Sequence, residues 1–172
     1  MNDSVKLDLD SYLPYLVNRV GTIIAEQFGA EALAPYHLSI AMWRVMAVLA
    51  STGGQRQIDL ADLTSIEVST LSRLVTRLIR MGIASRTRSA SSTREVVVKL
   101  TPKGKAQVAR LVPLALDYEA AAIAGVRPEE LALVKSALRR MYGNMKARQR
   151  ADGAAGAGAR PRGRRRPALA AE

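Results

Sequence analysis

Four long segments of the chain place apolar residues at three- and four-residue steps, the spacing of an amphipathic helix. They run from Leu9 to Phe28, from Ser39 to about Ala50, from Thr101 onwards and from Pro128 onwards. The second segment is apolar around almost its whole circumference, which predicts a helix buried at the centre of the domain. Residues 29–36, between the first two segments, are expected to form a loop.

The residues between the second and third of these helices follow a different pattern. Residues 59–64 indicate a short helix, 65–67 a tight turn and 68–81 a longer helix. Residues 83–87 and 95–100 follow as two strands, the second rich in β-branched residues. The predicted fold class is therefore mostly α with a small β-hairpin wing, that is, a winged helix-turn-helix domain with additional helices.

The helix at 68–81 divides into an apolar stripe and a polar face. The stripe consists of Leu71, Leu74, Val75 and Leu78. The polar face consists of Ser69, Thr70, Ser72, Arg73, Thr76, Arg77 and Arg80. Short hydroxyl side chains let a helix approach base edges in the major groove of DNA, and arginine binds guanine or a phosphate. This face is a candidate recognition surface, although an ordinary amphipathic surface helix would show the same pattern.

Positive charge is concentrated around this helix. The chain has a net charge of +11, yet residues 1–67 hold four Lys and Arg against eight Asp and Glu. Residues 68–110 hold ten against one. Such a local patch favours a polyanionic partner, double-stranded DNA, over a solvated basic face without a partner. Arg86, Arg88 and Arg94, on or beside the hairpin loop, could reach a neighbouring minor groove.

Composition argues against several classes of protein. The chain has no cysteine and a single histidine, His37, which excludes thiol chemistry, disulfides and a histidine cluster for a metal. No nucleophile with its base and no carboxylate pair is visible, so we expect neither an enzyme nor a cofactor. Residues 1–11 are acidic where a signal peptide is basic, and no apolar run reaches membrane-spanning length. A cytoplasmic location without membrane contact is therefore expected.

Several segments resemble, in order and spacing, the core of the MarR family of winged helix-turn-helix transcriptional regulators. They are Gln57–Ala61, Val68–Leu78, Gly82–Ile83 with Arg86, and Val98–Gly104. With flanking similarity, the resemblance covers roughly residues 10–148. It implies a homodimer whose terminal helices interlock and whose winged lobes bind pseudo-palindromic operators.

The resemblance also implies, by position, which residues contact DNA. The contacts from the recognition helix would be Ser69, Thr70, Ser72, Arg73 and Arg77. Arg94 would be the arginine of the wing, but Ser92 stands where the family commonly has an aspartate to orient it. Arg56 stands where the family often has a Thr or Ser cap.

We assign residues 38–101 to a winged DNA-binding lobe, and residues 8–31 and 102–148 to a helical dimerisation region. The apolar stripes of the first and last helices are wider than the core of one lobe can cover, so a partner chain is expected to bury them in a homodimer. Residues 151–172 combine Ala, Gly, Pro and Arg without apolar periodicity, which predicts a disordered basic tail.

Arg44 is the one strongly polar residue on the apolar second helix. A buried guanidinium needs an anionic partner, which is either an Asp or Glu of the first helix or turn, or a ligand. The second alternative predicts a small aromatic or heteroaromatic carboxylate as effector. The residues expected around it are Arg44, His37, Trp43, Tyr12 and Tyr36. The resemblance supports an effector, because many MarR-family members release DNA when aromatic acids bind.

The resulting interpretation is a dimeric, sequence-specific transcriptional regulator, a repressor that an aromatic acid releases from its operator. An architectural DNA-binding protein without sequence preference or effector would carry the same arginines. The ratio of specific to non-specific affinity at physiological salt separates the two alternatives.

Overall fold

Six α-helices and a two-stranded sheet follow one another in the computed structural model, which describes residues 6–88 and 96–158. The elements are α1 (Leu13–Phe28), α2 (Ile40–Thr52), α3 (Gln57–Thr64), α4 (Val68–Arg80), β1 (Ala84–Arg88), β2 (Val96–Leu100), α5 (Pro102–Ala122) and α6 (Pro128–Gly158). The chain divides into two units between Ala124 and Gly125; the first contains α1 to α5 with the sheet, and the second contains α6. The predicted fold class, mostly α with a small hairpin, is confirmed.

The connection between α1 and α2 is helical, so the prediction of a loop at residues 29–36 is wrong. A π-helical turn spans Gly29–Leu33, and a 3-10 turn spans Ala34–Tyr36. The first of these turns buries Ala32 and Leu33 in the core. Burial of these two side chains stabilises helical turns that the local composition does not indicate.

The core of the first unit includes α2, whose burial the sequence predicted. Met42, Val45 and Met46 of this helix are fully buried. The apolar stripe of α4 joins the same cluster, where its fully buried members are Leu71, Val75 and Leu78. Ser39 caps α2, because its Oγ accepts from the Met42 N–H at 3.2 Å. This packing fixes which face of α4 points outward.

The hairpin has a third backbone partner besides its own two strands. β1 and β2 pair in antiparallel fashion, with Arg88 opposite Val96. Gln55, just before α3, exchanges N–H to O bonds of 3.0 and 2.8 Å with Val98 of β2. β2 therefore has a backbone neighbour on each side, which the sequence pattern did not indicate.

The start of α5 makes a close backbone contact with the turn that follows α4. The Thr101 hydroxyl accepts from the Gly104 N–H at 3.1 Å, as an N-cap, and donates to the Gly82 carbonyl at 2.6 Å. A Cβ atom on Gly104 would lie 2.1 Å from the Ile83 carbonyl oxygen. Only glycine fits this position without a shift of the backbone.

The second unit consists of α6, which ends at Gly158. The prediction of a disordered tail from residue 151 is therefore wrong for residues 151–158. Extending a helix that is already formed requires no new nucleation, so α6 continues into this segment. Residues 159–172, the rest of the predicted tail, lie outside the described residues.

Within residues 6–88 and 96–158, no single helix is long and apolar enough to cross a membrane. The consecutive segments Leu13–Tyr36 and Ile40–Thr52, bent by 81° relative to each other, reach that length and composition only as a pair.

Replacing Gly104 with alanine is expected to lower the free energy of unfolding by about 1–3 kcal/mol, because the new Cβ overpacks the contact with Ile83. Urea denaturation followed by circular dichroism measures this change. Gly29→Ala is the matched control, since Gly29 has a φ of −63° and its Cβ would lie 3.6 Å from Ile40 Cγ1. Gly29→Ala should leave stability unchanged or slightly higher. Equal stability of the two variants would contradict the close contact at Gly104.

Candidate nucleic-acid interface

The second helix of the helix-turn-helix packs on the core with its polar face outward. Residues 65–67 join α3 to α4, and Ser65 turns the chain there with a left-handed φ of 54°. The Ile66 N–H bonds to the Ala61 carbonyl at 3.1 Å, which closes the turn. Because the opposite face of α4 is buried, its polar face is free to contact a partner.

The residues predicted to read DNA share this polar face but differ in exposure. Ser69, Thr70, Arg73 and Arg77 are exposed, whereas Ser72 is half-buried. The Thr76 hydroxyl donates to the Ser72 carbonyl at 2.9 Å, so it is committed to its own helix. The structure brings the predicted residues together on one helix face, and their contacts with DNA stay a prediction.

Glu67 caps α4, a role that the sequence analysis did not assign. Its Oε2 accepts from the Thr70 N–H at 3.0 Å and from the Ser69 hydroxyl. These bonds, chiefly the one from the Ser69 hydroxyl, lower the pKa of Glu67 to about 2. The carboxylate is therefore ionised at physiological pH. The sequence could have indicated this cap, because an acidic residue directly precedes a segment with helical spacing of apolar residues.

Arg77 is connected to a part of the chain forty residues away in sequence. Its guanidinium donates to the His37 carbonyl oxygen at 3.3 Å. His37 ends the 3-10 turn before α2 and has a left-handed φ of 56°. One hydrogen bond therefore joins the recognition helix to the connection between α1 and α2.

Two of the three predicted wing arginines belong to β1. Arg86 and Arg88 are both exposed, and their spacing of two residues puts them on the same face of the strand. Arg94 and Ser92 lie outside the described residues. The predicted contact between Arg94 and DNA therefore stays a prediction.

Arg56 stands before α3, where a Thr or Ser cap was expected, and its side chain does not cap the helix. Its guanidinium binds both carboxylate oxygens of Asp59 in the first turn, at 2.6 and 2.9 Å. This pairing lowers the pKa of Asp59. It also keeps a negative charge near the helix N-terminus, where the helix dipole favours one.

An aromatic groove of about 350 Å³ lies in the first unit, at α1, α2 and α5. Its lining includes Phe28, Trp43, Arg44 and Tyr118. The Phe28 ring stands edge-on to the rings of Trp43 and Tyr118, with centroid distances of 5.5 Å in both pairs. The groove has the size of a small-molecule site. In the part of the chain that the structure describes, no group of His, Asp and Glu is placed to hold a metal ion.

Arg44 is exposed, so the prediction of a buried guanidinium is wrong: its side of α2 lines the aromatic groove instead of the core. The alternative of an internal salt bridge is not realised either, because Arg44 forms no ion pair with any described residue. Trp43 shares the groove with Arg44. His37, Tyr12 and Tyr36 are exposed and do not line it.

Phe28 and Tyr118 are groove residues that sequence reasoning missed. The Tyr118 hydroxyl donates to the Glu31 carboxylate, and this bond raises the pKa of Tyr118. A signal for Tyr118 was present, because Leu111, Ala115 and Tyr118 follow at helical spacing. The sequence analysis assigned Tyr118 no role at this site.

Known proteins of one family resemble this chain. Residues 38–96 match the sequence model of the MarR family. An HTH-type transcriptional repressor of Mycobacterium tuberculosis is 29% identical over 101 residues, which cover 59% of this chain and 72% of the relative.

Two solved structures extend this similarity over most of the chain. A MarR family transcriptional regulator from Silicibacter pomeroyi is 33% identical, with a TM-score of 0.75, covering 80% of this chain and 91% of that one. The Bordetella bronchiseptica protein BpsR, whose DNA binding is regulated by 6-hydroxynicotinic acid, is 25% identical with a TM-score of 0.66. That match covers 75% of this chain and 97% of BpsR.

Proposed function

Because this chain belongs to the MarR family of transcriptional regulators, we propose that it represses its target genes as a homodimer on a pseudo-palindromic operator. We propose further that a small aromatic or heteroaromatic carboxylate releases it. Family membership makes the chain a DNA-binding regulator and not an enzyme. Repression is proposed because the M. tuberculosis relative is named a transcriptional repressor. The cytoplasmic location expected from the sequence is part of the same proposal.

The geometry of α4 and β1 is the observation that carries the proposal. α4 buries one face and exposes Ser69, Thr70 and Arg73 on the other. Arg86 and Arg88 are exposed on the strand that follows. A helix with such a face suits the major groove, and arginines on an adjoining wing suit phosphates and a narrow minor groove.

Exposed apolar side chains on two helices support a homodimer. On α1 they are Leu13, Leu16, Val17, Val20 and Ile23, and on α6 they are Leu133, Val134, Leu138, Met141, Tyr142 and Met145. Apolar surface of this extent is typical of an interface, and a second copy of the chain offers the same surface in return. A dimer would also present two recognition helices to half-sites about 34–36 Å apart.

Light scattering at micromolar concentration is expected to give twice the mass of the chain. Val20→Glu should shift the protein toward monomers, because it places an unpaired charge in the interface. Ile58→Glu on α3 is the matched control, since Ile58 is 58% exposed and Val20 is 56% exposed, and it should leave the dimer intact. A monomeric wild type, or the same loss in both variants, would contradict the proposed interface.

Arg73→Ala is expected to weaken binding to an operator selected from random DNA by about 1–3 kcal/mol, because the guanidinium reads a base there. Its affinity for DNA of random sequence should change little. Arg86→Ala and Arg88→Ala should weaken both, because contacts with phosphates carry no sequence information. Fluorescence anisotropy at fixed salt measures each affinity. Equal losses for Arg73→Ala on both DNAs would reduce Arg73 to a contact with the DNA backbone.

The lining of the aromatic groove indicates the class of effector. Phe28, Trp43 and Tyr118 line the groove with aromatic rings, which suits a planar apolar ligand, and the Arg44 guanidinium suits a carboxylate. The Tyr118 hydroxyl already donates to Glu31, so toward a ligand its oxygen can only accept a hydrogen bond. An aromatic acid with a hydroxyl or N–H donor fits both requirements. Regulation of the related BpsR by 6-hydroxynicotinic acid supports this class.

A path from this groove to DNA runs through the connection between α1 and α2. Phe28, in the groove, immediately precedes that connection, and His37, which accepts from Arg77 of α4, ends it. A ligand that binds one arrangement of the groove more tightly would shift the population of that arrangement. The bond to Arg77 would pass the shift to the recognition helix.

Arg44→Ala is expected to raise the concentration of 6-hydroxynicotinate or 4-hydroxybenzoate needed for operator release by about 10- to 100-fold, because a charged hydrogen bond is lost. Operator affinity without ligand should stay unchanged. Arg44→Lys keeps the charge without the planar fork and should give an intermediate response. Release followed by anisotropy, together with calorimetric binding, measures both. Release of Arg44→Ala at wild-type concentrations would place the effector site elsewhere.

A further inference from the structure

The side chain of Glu67 caps the recognition helix and stays exposed. Oε2 receives two bonds, from the Thr70 N–H at 3.0 Å and from the Ser69 hydroxyl. The Ser69 backbone N–H contributes a further bond to the carboxylate. Glu67 and Ser69 are both exposed. An exposed carboxylate, which still has lone pairs to accept with, therefore lies at the N-terminal end of α4, where the recognition face begins.

The bond to Glu67 determines whether the Ser69 hydroxyl can donate or accept toward another partner. A serine hydroxyl has one proton, and Ser69 uses it in the hydrogen bond that it donates to Glu67. Toward another partner, its Oγ can therefore only accept a hydrogen bond. Glu67 is ionised at physiological pH and has no proton to donate. The N-terminal end of the recognition face therefore accepts hydrogen bonds and donates none from these two side chains.

An acceptor at this position distinguishes between bases. In the major groove, cytosine presents the N4 amine and adenine the N6 amine as donors, whereas guanine and thymine present acceptor oxygens. Phosphate oxygens are acceptors too, so Glu67 gains nothing from the DNA backbone. Carboxylates in DNA-binding proteins characteristically accept from cytosine N4. Arg73, one turn beyond Ser69, only donates hydrogen bonds and therefore suits guanine, which presents acceptors.

We infer that Glu67, with Ser69, selects a cytosine at one position of each operator half-site by accepting a hydrogen bond from its N4 amine. Glu67 thus determines specificity in addition to capping α4. This inference rests on the proposed operator-binding function and names one of its reading residues. A helix cap alone would require no preference for any base.

The test compares wild type, Glu67→Gln and Glu67→Ser on a panel of operators with every single-base substitution. Wild type should prefer cytosine at one position of each half-site by about tenfold, the usual cost of one mismatched pair. Both variants should lose this preference and keep the preferences at the other positions. Gln still offers an oxygen to Thr70, and Ser is itself a favoured cap, so α4 should remain folded, which circular dichroism checks.

A change in the DNA tests the same contact with an unaltered protein. Replacing the selected cytosine with 2-pyrimidinone, which lacks the amine, should weaken wild-type binding by about tenfold, as a mismatch does. The same replacement at a position without base preference is the control for weaker pairing. Binding by Glu67→Ser should not respond to the replacement beyond that control.

The outcomes separate this inference from the proposed function. A uniform loss or gain of affinity at every operator position, with the base preferences of wild type intact, would make Glu67 only a cap or a repelling charge and overturn the inference. A 2-pyrimidinone effect equal to the control would overturn it as well. Wild type without any sequence preference would overturn both the inference and the proposed operator binding.

Discussion

Burial of one face of α4 is the interaction on which the rest of the structure depends. Leu71, Val75 and Leu78 are fully buried in the cluster that also contains α2, and each such side chain contributes about 1.5–3 kcal/mol. A rotation of α4 about its axis would expose these residues and bury arginines, whose charge would then lack water or a counter-ion. Packing therefore orients the hydroxyl and guanidinium groups outward before any DNA is present.

The two ends of the recognition face are also constrained by single side chains. At one end Glu67 satisfies backbone and hydroxyl donors of α4, and at the other Arg77 donates to the His37 carbonyl. Both contacts are polar and exposed, so each contributes modestly to stability. The bonds to Glu67 determine which hydrogen-bonding groups remain available for DNA. The bond from Arg77 connects α4 to the segment that leads into α2.

The aromatic groove and the recognition helix share α2 as their support. One side of α2 contributes Met42, Val45 and Met46 to the core, and another contributes Trp43 and Arg44 to the groove. An exposed arginine keeps its hydration and needs no internal anion, so Arg44 is tolerated on an otherwise apolar helix. The same exposure leaves its guanidinium available for an acid ligand.

The sequence by itself determined the elements whose pattern is local. The stripe of α4, the apolar circumference of α2 and the hairpin after α4 all follow from the spacing of residues within one short segment. Tertiary structure alone decided the pairing of Gln55 with Val98, the bond from Arg77 to His37, the exposure of Arg44 and the meeting of Phe28 with Tyr118. The physical reason is that periodicity records which face of an element is apolar, but not which distant residue that face will meet. Contacts between segments far apart in the chain depend on how the elements pack, and packing leaves no repeating pattern in the sequence.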